Sequence, residues 1–432
     1  MKKRNVVLIS LDEVRADNLS CYGYKKIQTP NIDKIAKEGV LFETCIGAGC
    51  LTPICMSSVL CAQYPNKHGM RLPLCKIQSK TIAQILKEYG YTTAGFVGNG
   101  LLGSRHGFNA GFDFFDEPTE DTSWTTWTPT GKGEDLFYEG NYWVDKMLQW
   151  IKENYRSPFF VWGHYYETHE GAEAALLREG RIKEGVHSEF RYKDAKIKYA
   201  DENLIRGIME LFEKLDLWDN TTLIIMSDHG TNIGEHPVKF IPHRSGGLKY
   251  PQHKTLYDHD TRVVLIMKDK NLPPGRRVEG VVRSVDVIPT ILDLLEIPIK
   301  KEYDFDGISL LPIIKKGKAE GNIAYSEDLF EWQIEYPKEP NLDVGPLQAA
   351  RTEKVKLIRN LIKGTEEFYD LQEDPEEQHN LIDKVREKEE VVSLRRLLNS
   401  KLYLDVKGMV TLSAKEREEM KIRLQRLGYI EE

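Results

Sequence analysis

Residues 5–13 read NVVLISLDE. Val6–Leu11 is an apolar, β-branched run, the mark of a strand buried on both faces. Such a strand belongs in a sheet covered by helices on each side. The run stops on two acidic residues, Asp12 and Glu13, at the strand's C-terminal end. Outward from this stretch the alternation continues. Asn31–Gly39 has helical spacing, with Ile32, Ile35 and Ala36 on one face and Gly39 suited to cap its end. Thr81–Tyr89 predicts a second helix, and Thr92–Val97 returns as a strand. Asn141–Tyr155 is amphipathic and is followed by Pro158 and the strand Phe159–Gly163. Lys198–Leu215 carries Leu204, Ile208, Leu211 and Phe212 at helical spacing, ahead of the buried strand Thr221–Met226. Val263–Met267 and Ile288–Leu295 continue the series. Strands alternating with helices predict an α/β fold with a mainly parallel sheet flanked by helices. Right-handed crossovers then bring the strands' C-terminal ends to one edge, where ligands bind in such sheets.

The texture changes after Pro312. Residues 1–314 form the expected main α/β domain. Residues 315–384 are richer in charge and carry short strands at Ala324–Glu327, Val355–Ile362 and Glu367–Leu371, which predicts a smaller C-terminal α+β subdomain. Residues 385–432 are strongly charged with helical periodicity. They are expected to pack on the body or on a second subunit, so a homo-oligomer is plausible.

The composition is globular: 41% hydrophobic and 29% charged residues exclude a disordered or collagen-like chain. With 60 Lys+Arg against 67 Asp+Glu, the net charge is −7, a poor match to nucleic acid or an anionic membrane. An anionic substrate would need local positive charge from a metal or from a few placed Lys, Arg or His. Val6–Ser10 is too short for a signal-peptide core or a membrane span, so a cytoplasmic protein without a membrane partner is expected. The six cysteines (Cys21, Cys45, Cys50, Cys55, Cys61, Cys75) form no CxxC pair and are expected as free, mostly buried thiols.

Four clusters could carry chemistry. Val6–Leu11 delivers Asp12 and Glu13, and Thr221–Met226 delivers Asp228 and His229 ahead of Gly230. If the two strand ends meet on one edge, their carboxylates and imidazole make a mixed O/N site for a divalent cation. Asp12 alone would serve equally as a helix N-cap. Next, GAGCLTPICMSSVLCAQYPNKHG, residues 47–69, turns helical from about Met56 to Ala62. Thr52 lies just before that helix, where backbone N–H groups favour an anion and a neighbouring metal would activate its hydroxyl. Taken alone, helix capping explains Thr52 as well. Third, His164 and His169 follow the strand Phe159–Gly163 and suit anion binding or proton donation, with a half-buried structural role the simpler account of His164. Fourth, His236, His243, His253 and Lys254 crowd one loop after Asp228.

Taken together these segments resemble the sulfatase branch of the alkaline phosphatase superfamily. NVVLISLDEVRADNLSCYG resembles the family's opening, and TPNIDKIAKEGVLFE the segment after it. SSVLCAQYPNKHGM resembles the stretch after the nucleophile, FFVWGHYYETHE the histidine loop, TLIIMSDHGTNIGEH the second metal motif, and KTLYDHDTRVVLIM the lysine-bearing strand. VDVIPTILDLLEI, DGISLLPII and EEFYDLQEDPEEQHNL resemble the domain end and the C-terminal subdomain. The resemblance implies a metal held by Asp12, Asp228 and His229, with Glu13 where the family often has a second Asp. It implies substrate contacts from His169 and Lys254, and, 13 residues before Pro65, a nucleophile at Thr52.

The chain departs from sulfatases proper at that nucleophile. Their C-x-P-x-R motif, whose Cys or Ser becomes formylglycine, is replaced by Thr52, Pro53, Ile54, Cys55 and Met56. Oxidising a threonine would give a ketone, not the required aldehyde. The family's GKWHLG is replaced by FVGNGLLGSRHGF, with Asn99 nearest the matching point. Relatives with Thr at the nucleophile position are phosphoesterases, many with two zinc ions, and His236, His243 and His253 could fill a second site. The expectation is therefore a metal-dependent hydrolase of small anionic esters, phosphoesters preferred. Zinc, manganese, calcium or magnesium would serve, as one ion or two. The catalytic group would be Thr52, His169 and Lys254, with Asn99 as a further substrate donor. A sulfuric ester hydrolase with an atypical nucleophile and a non-catalytic anion-binding relative are the alternatives.

Overall fold

The computed structural model describes residues 3–71, 75–118, 142–169, 191–236, 255–329, 346–361 and 363–401. Among the described residues nine strands form the main sheet: β1 (Asn5–Leu11), β2 (Val40–Ile46), β3 (Thr92–Val97), β4 (Phe114–Asp116), β5 (Phe159–Tyr165), β6 (Thr221–Ser227), β7 (Arg262–Val263), β8 (Leu265–Lys268) and β9 (Arg276–Arg283). Their order is β4-β3-β5-β1-β6-β8-β2-β7, with β9 paired to β2. β1 lies between β5 and β6, parallel to both. β7 and β8 run antiparallel to their neighbours, so the sheet is mixed but mostly parallel.

The first strand shows why the sheet is covered on both faces. Val6 and Leu8 point into one core, beside Met56, Val59, Ile85 and Ile291 from the helices Thr52–Cys61, Ile82–Glu88 and Val287–Leu294. Val7, Ile9 and Leu11 point into the other, beside Ile32, Trp143, Met147 and Ile208. Side chains alternate across a strand, so one seven-residue segment serves both layers. Each buried aliphatic side chain contributes roughly 1.5–3 kcal/mol.

Several sequence expectations shift here. Ile288–Leu295 is realised as the helix Val287–Leu294. Val263–Met267 splits into β7 and β8. Lys198–Leu215 belongs to a longer helical run from Arg191 to Lys214, interrupted by a π turn at Asp201–Ile205. There Asp201 accepts from the Ile32 backbone N–H at 2.7 Å and so caps the helix Pro30–Glu38 from outside. β2 and β9 lack the alternation that would have marked them.

The C-terminal subdomain is an antiparallel sheet of β10 (Ala324–Asp328), β11 (Leu347–Arg351), β12 (Val355–Asn360) and β13 (Glu366–Asp370), in that order. The helix Glu389–Lys401 lays Val391, Leu394 and Leu398 on it, in one cluster with Tyr325, Leu357, Phe368 and, from the main domain, Ala48 and Tyr64. The described part of the charged tail thus packs on the body. All six cysteines are free. Among the described residues no helix is long and apolar enough to cross a membrane.

Candidate active site

Strand register builds the centre of the site. Leu11 on β1 is paired with Ser227 on β6, so the next residues, Asp12 and Asp228, emerge side by side at the C-terminal edge. The ladder continues past the strand ends: the Asp12 N–H donates to the Tyr165 carbonyl at 2.9 Å, and the Asp228 N–H to Leu11 at 3.4 Å. Both carboxylates are buried.

Each carboxylate has one oxygen saturated. Asp12 Oδ2 accepts from Asn99 Nδ2 at 3.1 Å and lies 3.0 Å from His164 Nε2. Asp228 Oδ1 accepts the backbone N–H of Glu13 at 2.9 Å and of His229 at 2.7 Å. The other oxygens, Asp12 Oδ1 and Asp228 Oδ2, are buried with no hydrogen-bond partner among the described residues. His229 Nε2 lies 3.9 Å from the first and 3.5 Å from the second. His229 Nδ1 sits 2.8 Å from the Gly230 carbonyl, which can only accept, so the ring hydrogen is at Nδ1 and the Nε2 lone pair faces the carboxylates.

Asp12, Asp228 and His229 are the one group of three or more His, Cys, Asp or Glu among the described residues able to hold a metal ion, with ligand atoms within 4.8 Å of one another. Two orphaned, buried carboxylate oxygens are costly unless a cation meets them. The donor set of two oxygens and one nitrogen fits a divalent ion. The electrostatics agree. Burial would raise the Asp12 carboxyl, yet His169, His164 and His229 bring it down to about 2. Asp228 goes the other way, raised by burial and by the Asp12 charge. Burial would lower His229, but Asp228, Asp12 and Glu13 together raise it.

Glu13 is buried, but its backbone N–H rather than its side chain faces Asp228, and its carboxylate lies 3.5 Å from Lys193 Nζ. To aim that N–H, Glu13 adopts φ +62°, the left-handed region that non-glycine residues seldom occupy.

Thr52 opens the helix Thr52–Cys61, four residues earlier than the sequence predicts. Pro53 suits a first turn, and all ten residues are buried, the polar Thr52, Ser57 and Ser58 included. Thr52 does not cap the helix: Leu51 is the N-cap, and Thr52 Oγ1 lies 3.2 Å from His229 Nε2. A hydroxyl, two carboxylates and an imidazole therefore converge. His169 caps the short turn Tyr166–Thr168, stacks on Tyr166 and has its carbonyl held by Lys196 Nζ at 2.7 Å. Asn99 caps the turn at Gly100–Leu102 and gives an amide hydrogen to Asp12. Lys254, His243 and His253 lie outside the described residues. His236 Nε2 is 2.9 Å from the Glu377 carbonyl, and its ring stacks on Tyr257, so it ties the main domain to the C-terminal subdomain.

Sequence reasoning missed Lys193 and Lys196, which helix Arg191–Ala200 brings to Glu13 and His169. It also favoured a half-buried structural role for His164 without its contact to Asp12. Only strand order, with Ser10 paired to His164, reveals that link.

Two family models match the chain: Sulfatase over residues 4–297, and N-sulphoglucosamine sulphohydrolase, C-terminal, over residues 246–403. An ulvan-active sulfatase of Formosa agariphila is 24% identical over 425 residues, spanning 88% of this chain and 76% of that protein. An N-acetylglucosamine-6-O-sulfatase of Bacteroides thetaiotaomicron is 22% identical over 506 residues, spanning 94% and 87%. Among solved structures, the phosphonate monoester hydrolase of Agrobacterium radiobacter superposes with TM-score 0.68 at 20% identity, covering 95% of this chain and 99% of that one. A protein in complex with D-glucosamine-2-N,6-O-disulfate gives TM-score 0.70 at 20% identity, covering 92% and 97%. These structural likenesses show the fold.

Proposed function

The chain belongs to the sulfatase family, a family of ester hydrolases, and from that premise we propose a metal-dependent hydrolase in which Thr52 is the nucleophile and phosphate-type esters are preferred over sulfates. The observation that carries the proposal is the approach of Thr52 Oγ1 to His229 Nε2, 3.2 Å, beside two bare carboxylate oxygens.

Asp12, Asp228 and His229 would hold the cation. When bound, a divalent ion neutralises charge on the ester's nonbridging oxygens and lowers the pKa of a neighbouring hydroxyl. As the alkoxide, its proton released to solvent, Thr52 Oγ1 forms the new bond to phosphorus as the bond to the leaving oxygen breaks, and it is regenerated as the alkoxide when the threonine ester is cleaved. His169 gives that oxygen its proton and recovers one from the water that later cleaves the threonine ester. Asn99 keeps a second amide hydrogen for the substrate anion beyond the one given to Asp12. Lys254 would supply a positive charge to the same anion.

The preference for phosphorus rests on the nucleophile. Formylglycine needs Cys or Ser, and neither Cys50 nor Cys55 lies 13 residues before Pro65, where the family spacing puts the nucleophile. Cys50 donates to Asp328 Oδ2 at 3.6 Å, and both Cys50 and Cys55 are buried. A second reading, cleavage of sulfate esters, is favoured by the sulfatase names of the relatives. A panel of aryl sulfate, phosphate monoester, phosphodiester and phosphonate ester substrates separates the two. Mass spectrometry of residues 47–71 accompanies it: an aldehyde at Cys50 or Cys55 would replace Thr52 as the nucleophile and overturn the proposal.

A further inference from the structure

Asp12 stands at the end of a buried chain of hydrogen bonds. Trp162 Nε1 donates to Ser10 Oγ at 3.1 Å, Ser10 Oγ lies 2.9 Å from His164 Nδ1, and His164 Nε2 lies 3.0 Å from Asp12 Oδ2. All four side chains are buried. Chemistry fixes the direction. An indole N–H can only donate, and an ionised carboxylate can only accept. His164 therefore carries its hydrogen on Nε2, toward Asp12. In the neutral ring Nδ1 then accepts the Ser10 hydroxyl, whose other acceptor, the Gly163 carbonyl, is farther away at 3.4 Å. Parallel pairing of β1 with β5 sets Ser10 opposite His164, so the sheet itself holds the ring in place.

We propose that His164 is a positioning residue for the cation site, with Ser10 and Trp162 as its supports. By holding Asp12 Oδ2 together with Asn99 Nδ2, it turns the carboxylate so that Oδ1 faces Asp228 and His229. It also keeps Asp12 from swinging to present Oδ2 or from rotating away when no ion is bound. Groups that orient a metal ligand from behind commonly change metal affinity when removed. The inference rests on the cation site of the previous subsection.

The test is a calorimetric titration of Mn²⁺ into the full chain for wild type, His164→Ala, His164→Gln and Ser10→Ala, with melting curves in chelator. Gln can place an amide N–H near the position of Nε2, whereas Ala cannot. His164→Ala should weaken Mn²⁺ binding roughly 10–100-fold, His164→Gln should restore most of that loss, and Ser10→Ala should fall between them. Equal affinities for wild type and His164→Ala overturn the proposal. So does an equal loss in the Gln and Ala variants, because the donated hydrogen would then not matter. If His164→Ala melts below the working temperature, the Gln and Ser10→Ala titrations decide by the same ranking. A wild-type chain that binds no Mn²⁺, Zn²⁺, Ca²⁺ or Mg²⁺ sinks the cation site itself, and the positioning role with it.

Discussion

In the proposed mechanism Thr52, Asp12 and Asp228 divide the chemistry, and single substitutions distinguish the parts of Thr52 and Asp228. Thr52→Ala removes the proposed nucleophile and leaves the carboxylates in place. Its turnover on the best ester should fall on the order of 10³-fold or more, with metal content unchanged. A near-normal rate for that variant ends the case for Thr52. Asp228→Asn has an opposite signature. The carboxylate is buried, its Oδ2 is bare, and burial together with Asp12 disfavours its charge. Replacing it with a neutral amide should stabilise the metal-free protein, by about 1 kcal/mol, while abolishing the stabilisation by cation. In wild type that stabilisation reaches roughly 2.7 kcal/mol when free cation is a hundred times its dissociation constant. Melting curves with and without Mn²⁺ give both numbers. A variant that melts lower than wild type in chelator contradicts the account of Asp228 as a destabilising charge.

Loops and helix starts set where those groups stand. The segment between β2 and the helix Thr52–Cys61 is clamped by the small sheet. Ser326 Oγ donates to the Gly47 carbonyl at 2.6 Å, and the Glu327 N–H donates to Ala48 at 2.9 Å. A Cβ at Gly49 would come within 2.7 Å of the Glu327 carbonyl oxygen, a backbone atom that cannot step aside. Gly49→Ala should therefore push Thr52 off its position, lowering kcat at least tenfold while leaving Mn²⁺ affinity close to wild type. Gly230 guards the other half: its Cβ would meet the His259 carbonyl oxygen at 2.0 Å. Gly230→Ala should displace Asp228 and His229 and lower both Mn²⁺ affinity and stability, the latter by about 1–3 kcal/mol. If the two glycine variants show the same metal affinity, the division between a nucleophile loop and a cation loop fails.

Main domain and C-terminal subdomain are joined by a buried ionic cluster. Asp258 accepts from Lys356 at 2.9 Å and from Arg351, and Lys356 also lies 3.0 Å from Glu377. Removing Lys356 leaves Asp258 with Arg351 but takes the cation from the buried Glu377, so Lys356→Met should cost about 3 kcal/mol in denaturant unfolding. The cluster also gives stability a pH dependence. Burial would raise Asp258, but Arg351 and Lys356 hold it far below its ordinary 3.8. Its contribution is therefore present above that pH and is lost as the pH falls through the lowered value. Glu377 is raised by burial from 4.5 to about 7, Lys356 only partly offsetting that. Its contribution is full below 4.5 and is lost as the pH rises through 7. Glu377→Gln should thus gain on wild type between about pH 5 and about pH 7.5, read as the difference in urea midpoints. A difference that does not change with pH would show that Glu377 titrates normally.

Local sequence carried the architecture because burial leaves its trace in local pattern. Val6–Leu11, Thr92–Val97 and Thr221–Met226 are apolar on both faces, and that is legible without any partner. Asp12, Asp228 and His229 were legible for the same reason: polar residues directly after such strands must emerge at a sheet edge. What the sequence could not convey is distance. Only the pairing of Leu11 with Ser227 puts the two aspartates beside each other, and only the pairing of Ser10 with His164 brings that histidine to Asp12. Thr52 could be read as a helix cap until the fold aimed its hydroxyl at His229. β2, β9 and the lysines Lys193 and Lys196 were likewise settled by long-range contacts, because pairing between segments far apart in the chain depends on the packed core and leaves no periodicity behind.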